Sequence, residues 1–364
     1  MKTLNCYVTK SYLVTLFLAI GILTFGMCGA RLVEVFELIA QGLPLSVFFK
    51  FLWYVFPIVL CFTIPWAALV AVMLVFGRLS ADSEITAMRA CGVSILQIIS
   101  PILLITVLLS IFCLYLQLEV APPYLGKSRD LVKTTAIDNP LALFKAGQPI
   151  QTDNMIIYID DKLSENEVSN IQIYIVGDKK KGAPPTDLSA SRARLEVDKE
   201  KEVLTLRLID CFLIDKSGEQ EMHMAYDELA LDIDYGEQRN QLQLLPKAKY
   251  MSLMDLLACL RIEKSRNGNK ITAMEIELNQ RIALALSPIA FLLLGLPLAI
   301  RTSRRETSVG LFLSVLLGGF FYFAIILFES LDSYPRIYPQ YLLWLPNLVY
   351  QIGGAIMIWR ITQR

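Results

Sequence analysis

A single histidine in 364 residues removes most imidazole chemistry at the outset. His223 sits in Glu221-Met-His-Met, a segment that reads as strand, with no second ligand or triad partner at a useful spacing, so it reads as structural or exposed. Cysteine occurs seven times, but never as CxxC or in another paired spacing, which argues against a zinc site or a disulfide framework. Charge of one sign is also lacking. With 34 basic and 34 acidic residues the net charge is zero, and nothing points to nucleic acid. A phosphate-binding glycine loop is missing as well: Ala121-Pro-Pro-Tyr-Leu-Gly-Lys-Ser imitates one, but Ala121 replaces the first glycine and two prolines remove N–H donors. No catalytic constellation, metal site or cofactor is implied.

What the chain has in excess is apolar sequence. Hydrophobic residues make up 55% and mean hydropathy is +0.50, too apolar for an ordinary soluble protein. Six runs are long enough to cross a bilayer: Tyr12 to Ala30, Phe48 to Phe76, Val93 to Leu118, Ile276 to Ile300, Val309 to Phe328 and Tyr341 to Trp359. The first lacks a cleavage site and reads as a retained span, not a signal peptide. The second carries Pro57 and Pro65, whose missing N–H groups should kink it.

Between the third and fourth runs the composition turns polar, over a length sufficient for a domain. Six short alternating runs mark strands: 155–160, 171–176, 194–197, 203–208, 211–214 and 229–234. Their spacing suggests an antiparallel sandwich, jelly roll or open barrel. One face of each is apolar, which suits a packed core or a cleft for a greasy ligand. Ser252 and Asp255 have capping-box spacing and open an amphipathic helix leading back to the membrane. The expected organisation is 1–120 (three spans), 121–275 (the β-domain with its connecting helix) and 276–364 (three spans).

Lys and Arg in the short segments set the orientation. Lys2, Lys10, Arg78, Arg89, Arg301, Arg304, Arg305, Arg360 and Arg364 fall on one side, against Arg31, Lys50 and Arg336 on the other. Nine against three places both termini in the cytoplasm and the β-domain outside, which in a bacterium with two membranes is the periplasm.

One cytoplasmic segment stands out, Gly77 to Ser94, GRLSADSEITAMRACGVS. Ser80 can cap a helix of about three turns, at 80–92, with Asp82 and Glu84 in its first turn, Arg89 in its last and Gly92 past its end. Glu84 then projects among Ala81, Ala87, Met88 and Cys91, a carboxylate on a small-residue face suited to a partner's groove. A solvated loop is the plain alternative. Charges at the membrane edges complete the candidates, because burying one in hydrocarbon is expensive. Arg31 is one turn from Glu34 and can pair, snorkel or meet an anionic headgroup. Glu277 and Arg281 are spaced as a helical ion pair.

The segment 77–94 with Pro101, then Glu277-Leu-Asn-Gln-Arg281 with Pro288 and Pro297, and Trp344-Leu-Pro-Asn347 carry a resemblance that covers nearly the whole chain. The sequence resembles the YjgP/YjgQ permease family, the LptF and LptG subunits of the lipopolysaccharide export ABC transporter, with wording around Glu84 nearer LptF. The resemblance implies six transmembrane helices and a periplasmic antiparallel β-jelly-roll-like domain between helices three and four, in the bacterial inner membrane. It implies a non-catalytic subunit that pairs with a second homologous permease and opens toward the outer leaflet. Lipopolysaccharide would be extracted there and passed to a jelly-roll bridge of LptC and LptA, while a cytoplasmic LptB dimer hydrolyses ATP. Glu84, with Asp82 and Arg89, would couple to that ATPase, and Arg31 would meet lipid phosphates. Glu277, Arg281, Pro57, Pro65, Pro288 and Pro297 would be structural. Two other readings stay open: a mechanotransmission exporter, although such folds usually have four spans, and a membrane-anchored periplasmic scaffold or enzyme.

Overall fold

A computed structural model describes residues 2–40, 45–138, 150–152, 155–162, 167–175, 186–198, 203–215, 222–234, 248–265, 271–302, 307–333 and 337–363. Among the described residues, six helical stretches are long and apolar enough to cross a membrane. Helices α1 (Lys2–Ala40) and α2 (Leu45–Ala81) come first, then the short α3 (Glu84–Ala90). The third span is α4 (Ile95–Tyr115), a π turn (Leu116–Val120) and the head of α5 (Ala121–Asp138). After the sheet come the connecting α6 (Leu253–Ser265) and the spans α7 (Ile271–Thr302) and α8 (Thr307–Glu329). The sixth span is α9 (Pro339–Leu342) with α10 (Leu345–Gln363).

The third span does not stop at Glu119 as its Ala-Pro-Pro tail suggests. Proline lacks the N–H and crowds the preceding turn, but the widened π turn just ahead of Pro122 and Pro123 accommodates both losses. The phosphate-loop imitation at Ala121–Ser128 is therefore helix. Pro57 and Pro65 lie inside α2, Pro101 inside α4, and Pro288 and Pro297 inside α7.

The membrane unit is built around α2 and α7, the two most buried spans. Close backbone approach explains two glycines between the helices. A Cβ at Gly295 would stand 2.9 Å from Leu69 Cδ1, and one at Gly354 would collide with the backbone of Leu293 and Leu294. Phe291, Phe321 and Tyr350 make edge-to-face ring contacts at 4.8–5.9 Å in the same core. By contrast α1 and α8 leave large apolar side chains bare, among them Phe17, Phe25, Phe312 and Phe320, as befits surfaces in hydrocarbon.

Among its described residues the second unit holds one antiparallel sheet of six strands in sequential order: β1 (Ile150–Thr152), β2 (Met155–Lys162), β3 (Glu167–Ile175), β4 (Thr186–Asp198), β5 (Val203–Asp215) and β6 (Met222–Asp234). The runs expected at 203–208 and 211–214 are one strand, β5, and the run at 194–197 is the end of a strand that begins at Thr186. Alternation fails at one rung. Asp160, Asn170, Ser191, Asp210 and Asp227 lie on one line across β2 to β6, all are exposed, and the ladder lacks its pairing there. Asn170 and Asp210 take left-handed φ of 49° and 53°. Two residues, not one, separate Val168 from Ile171, Ala190 from Ala193 and Leu208 from Cys211. An added residue at the same rung of successive strands is how a sheet turns a corner. The apolar face, with Ile159, Ile171, Leu206 and Leu208 all at 0% exposure, clusters only with other residues of this sheet among the described residues.

Candidate functional site

The segment around Glu84 differs from the sequence expectation in its start and its buried face. Helix α2 continues through Ser80, whose Oγ donates to the Ile300 carbonyl at 2.9 Å instead of capping a new helix. Asp82 and Ser83 form the break, Ser83 with φ of 58°, and α3 has two turns beginning at Glu84. Asp82 thus precedes the first turn. The exit matches expectation: Gly92, at φ 84°, donates to Arg89 O at 2.9 Å and Val93 to Met88 O at 3.1 Å, a Schellman ending. Ser94 and Gln97 form the capping box that starts α4.

Ile85 and Met88, one turn apart, are the buried stripe of α3 and belong to the membrane-unit core. Met88 is therefore an inward anchor and not part of Glu84's open face. Thr86, Ala87, Arg89, Ala90 and Cys91 are exposed, while Glu84 is half-buried and accepts from the Tyr7 hydroxyl at 3.4 Å. Nothing in the sequence announces Tyr7, 77 residues away. The result is a short helix pinned by two apolar side chains and displaying small residues, one carboxylate and one guanidinium.

Arg31 is exposed on α1, at the end of the chain's first span. The side chain of Glu34, and Arg304, Arg305 and Arg336, fall outside the described residues. His223 lies on β6 opposite Ile214 in the ladder.

The strongest polar constellation is at the other end of α7. Arg281, 4% exposed, donates from Nε to Glu277 Oε1 at 2.9 Å, from Nη1 to Met251 O at 2.9 Å, and from Nη2 to Ala248 O and Lys249 O at 3.0 and 3.2 Å. Removing one partner of a buried ion pair leaves an uncompensated charge and costs about 3–5 kcal/mol. The two neighbouring residues reach elsewhere, because successive side chains on a helix diverge by about 100°. Gln280 Nε2 donates to Glu329 Oε2 at 2.7 Å, at the end of α8. Asn279 Oδ1 accepts from Trp344 Nε1 at 3.0 Å, and Asn347 Nδ2 donates to Ala283 O at 2.7 Å. Spacing alone foretold the Glu277–Arg281 pair. It gave no sign that Asn279, Gln280 and Arg281 would bind three separate segments, or that the Glu277–Arg281 and Trp344–Asn347 motifs interlock.

Similarity to known proteins agrees with this architecture. The family described as lipopolysaccharide export system permease LptF/LptG matches residues 6–360. The chain is 21% identical over 299 residues to the lipopolysaccharide export system permease protein LptF of Escherichia coli K12, and equally to that of Shigella flexneri, covering 79% of this chain and 75% of each relative. Six apolar helices, an antiparallel sheet inserted in mid-chain and a match over nearly the whole length thus make this multi-pass inner-membrane protein a member of the LptF/LptG family of lipopolysaccharide export permeases.

Proposed function

We propose that this chain is the non-catalytic permease half of an ATP-driven transporter that extracts lipopolysaccharide from the outer leaflet of the inner membrane. It pairs with a second, homologous permease, and an ATPase dimer of the LptB kind works on it from the cytoplasm. The lipid then moves along the apolar face of the sheet to a periplasmic bridge of LptC and LptA type. In this reading both termini and α3 are cytoplasmic and the sheet is periplasmic, in keeping with the nine-to-three bias of basic residues. Residues 1–120 carry the coupling helix, 121–275 the lipid-guiding domain and 276–364 the remaining spans.

The observation that carries the proposal is α3 itself. It is joined through Ser80 to the end of α2, and its sequel Ser94 caps α4, so a push on it reaches two spans directly. Ile85 and Met88 fix it to the core, leaving Glu84 and Arg89 to meet an ATPase groove. Arg31 meets lipid phosphates by charge-assisted hydrogen bonds.

The test is Glu84→Ala in the reconstituted complex. ATPase binding and lipid-stimulated ATP hydrolysis should fall by about tenfold or more, as for a central charged contact, with membrane insertion intact. Normal co-purification and transport would remove Glu84 from the coupling role. For the lipid contact, Arg31→Glu should weaken photo-crosslinking of lipopolysaccharide to α1, and unchanged crosslinking would take Arg31 out of the site.

A further inference from the structure

We infer that α7 is the rod that carries motion from the coupling helix to the segment re-entering from the sheet, with Arg281 as the positioning residue at its far end. This rests on the coupling role proposed for α3. At the near end, Ser80 Oγ holds Ile300 O at 2.9 Å, four residues before Glu84. At the far end, Arg281 grips the carbonyls of Ala248, Lys249 and Met251, the first described turn after the sheet. The two grips are 19 residues apart, about 29 Å along a helix at 1.5 Å per residue. That matches the roughly 30 Å hydrocarbon thickness of a bilayer, so they stand near its opposite faces.

Between them α7 has little freedom to slip. Gly295 lets α2 approach until a Cβ would touch Leu69, and Gly354 lets α10 approach until a Cβ would strike the backbone of Leu293. Pro288 and Pro297 lie in this stretch and each removes a backbone hydrogen bond, so it is this close packing on both sides that limits the bending they would allow. The turn at 248–251 also meets the outgoing helix of the connection: Tyr250 lies against Gly126 of α5, 3.6 Å from where a Cβ would be. Apolar packing alone, as among Met251, Leu256 and Met274, would hold a static turn. Three carbonyls and a carboxylate on one buried guanidinium fix its orientation as well, so a shift of α7 takes the turn with it.

The experiment uses this chain with its partner permease and ATPase in vesicles containing lipopolysaccharide, reading ATP hydrolysis together with photo-crosslinking of the lipid to a benzoylphenylalanine at position 213. Arg281→Lys should keep lipid-stimulated hydrolysis within about twofold while crosslinking to the sheet falls about tenfold, the scale of a coupling between sites. Lysine preserves the charge pair with Glu277 but has no planar fork to reach the carbonyls, so it separates the latch from a simple ion pair. Full crosslinking with Arg281→Lys would overturn the inference, as would hydrolysis and crosslinking lost in equal measure. Normal transport with Glu84→Ala would instead overturn the coupling reading on which the rod depends.

Discussion

The Tyr7 hydroxyl and the Glu84 carboxylate, 77 residues apart, meet at 3.4 Å at the base of the membrane unit. If Glu84 has the coupling role proposed above, this bond would orient the carboxylate of α3 for docking. Tyr7→Phe removes it while keeping the ring. Titration of the ATPase subunit against the detergent-solubilised permease should show a two- to fivefold weaker apparent affinity, about 0.5–1 kcal/mol. An unchanged affinity would mean that Glu84 needs no orientation from α1.

Two adjacent glycines of α10 should respond differently to alanine. Gly354→Ala places a methyl against the backbone of Leu293 and Leu294, which no rotamer change relieves. It should cost about 3 kcal/mol or more, the upper end for overpacking. Gly353→Ala has Leu294 Cδ1 at 3.8 Å, an ordinary contact, and should be tolerated. The fraction of protein remaining monodisperse after heating in detergent measures both.

The fold line across the sheet predicts a residue-type preference. Asn170→Val and Asp210→Val force β-branched side chains into left-handed backbone and should each cost about 1–3 kcal/mol, whereas Asn170→Gly and Asp210→Gly should not. Rates of limited proteolysis of the sheet in the full chain give the comparison.

Thiol reactivity separates the cysteines. Cys6 and Cys91 are exposed, while burial pushes the Cys211 thiol up. A raised thiol keeps its proton through neutral pH, so the reactive thiolate is scarce there and gains only above the ordinary thiol range. Maleimide labelling of the folded protein at pH 7 should therefore modify Cys6 and Cys91 well before Cys211, with the gap narrowing as pH rises.

The spans were legible because each is a long apolar run whose signal needs no partner. The sheet was legible strand by strand until alternation broke. Asp210 divided β5 into two apparent strands, and Ser191 hid the first half of β4, because the fold line inserts an exposed residue that period-two reading treats as an end. The three-residue β1 had too little pattern to be seen. At α3 the residue types pointed to a helix, but Ser80 was claimed by Ile300, 220 residues away, and not by its own neighbours. The same holds for Arg281. Its partner at i−4 follows from helical spacing, while its three carbonyls, about 30 residues earlier in the chain, come from tertiary packing alone.

Transmission across the bilayer requires α3 and the sheet to lie on opposite sides of it. Two variants lacking Cys6, one retaining Cys91 and one with Cys91 also removed and Asp227→Cys introduced, can be labelled with a membrane-impermeant maleimide in intact spheroplasts and in inverted vesicles. Cys91 should react only in inverted vesicles and position 227 only in spheroplasts. Reaction of both positions from the same side would contradict the transmission of work from an ATPase below the membrane to a lipid above it.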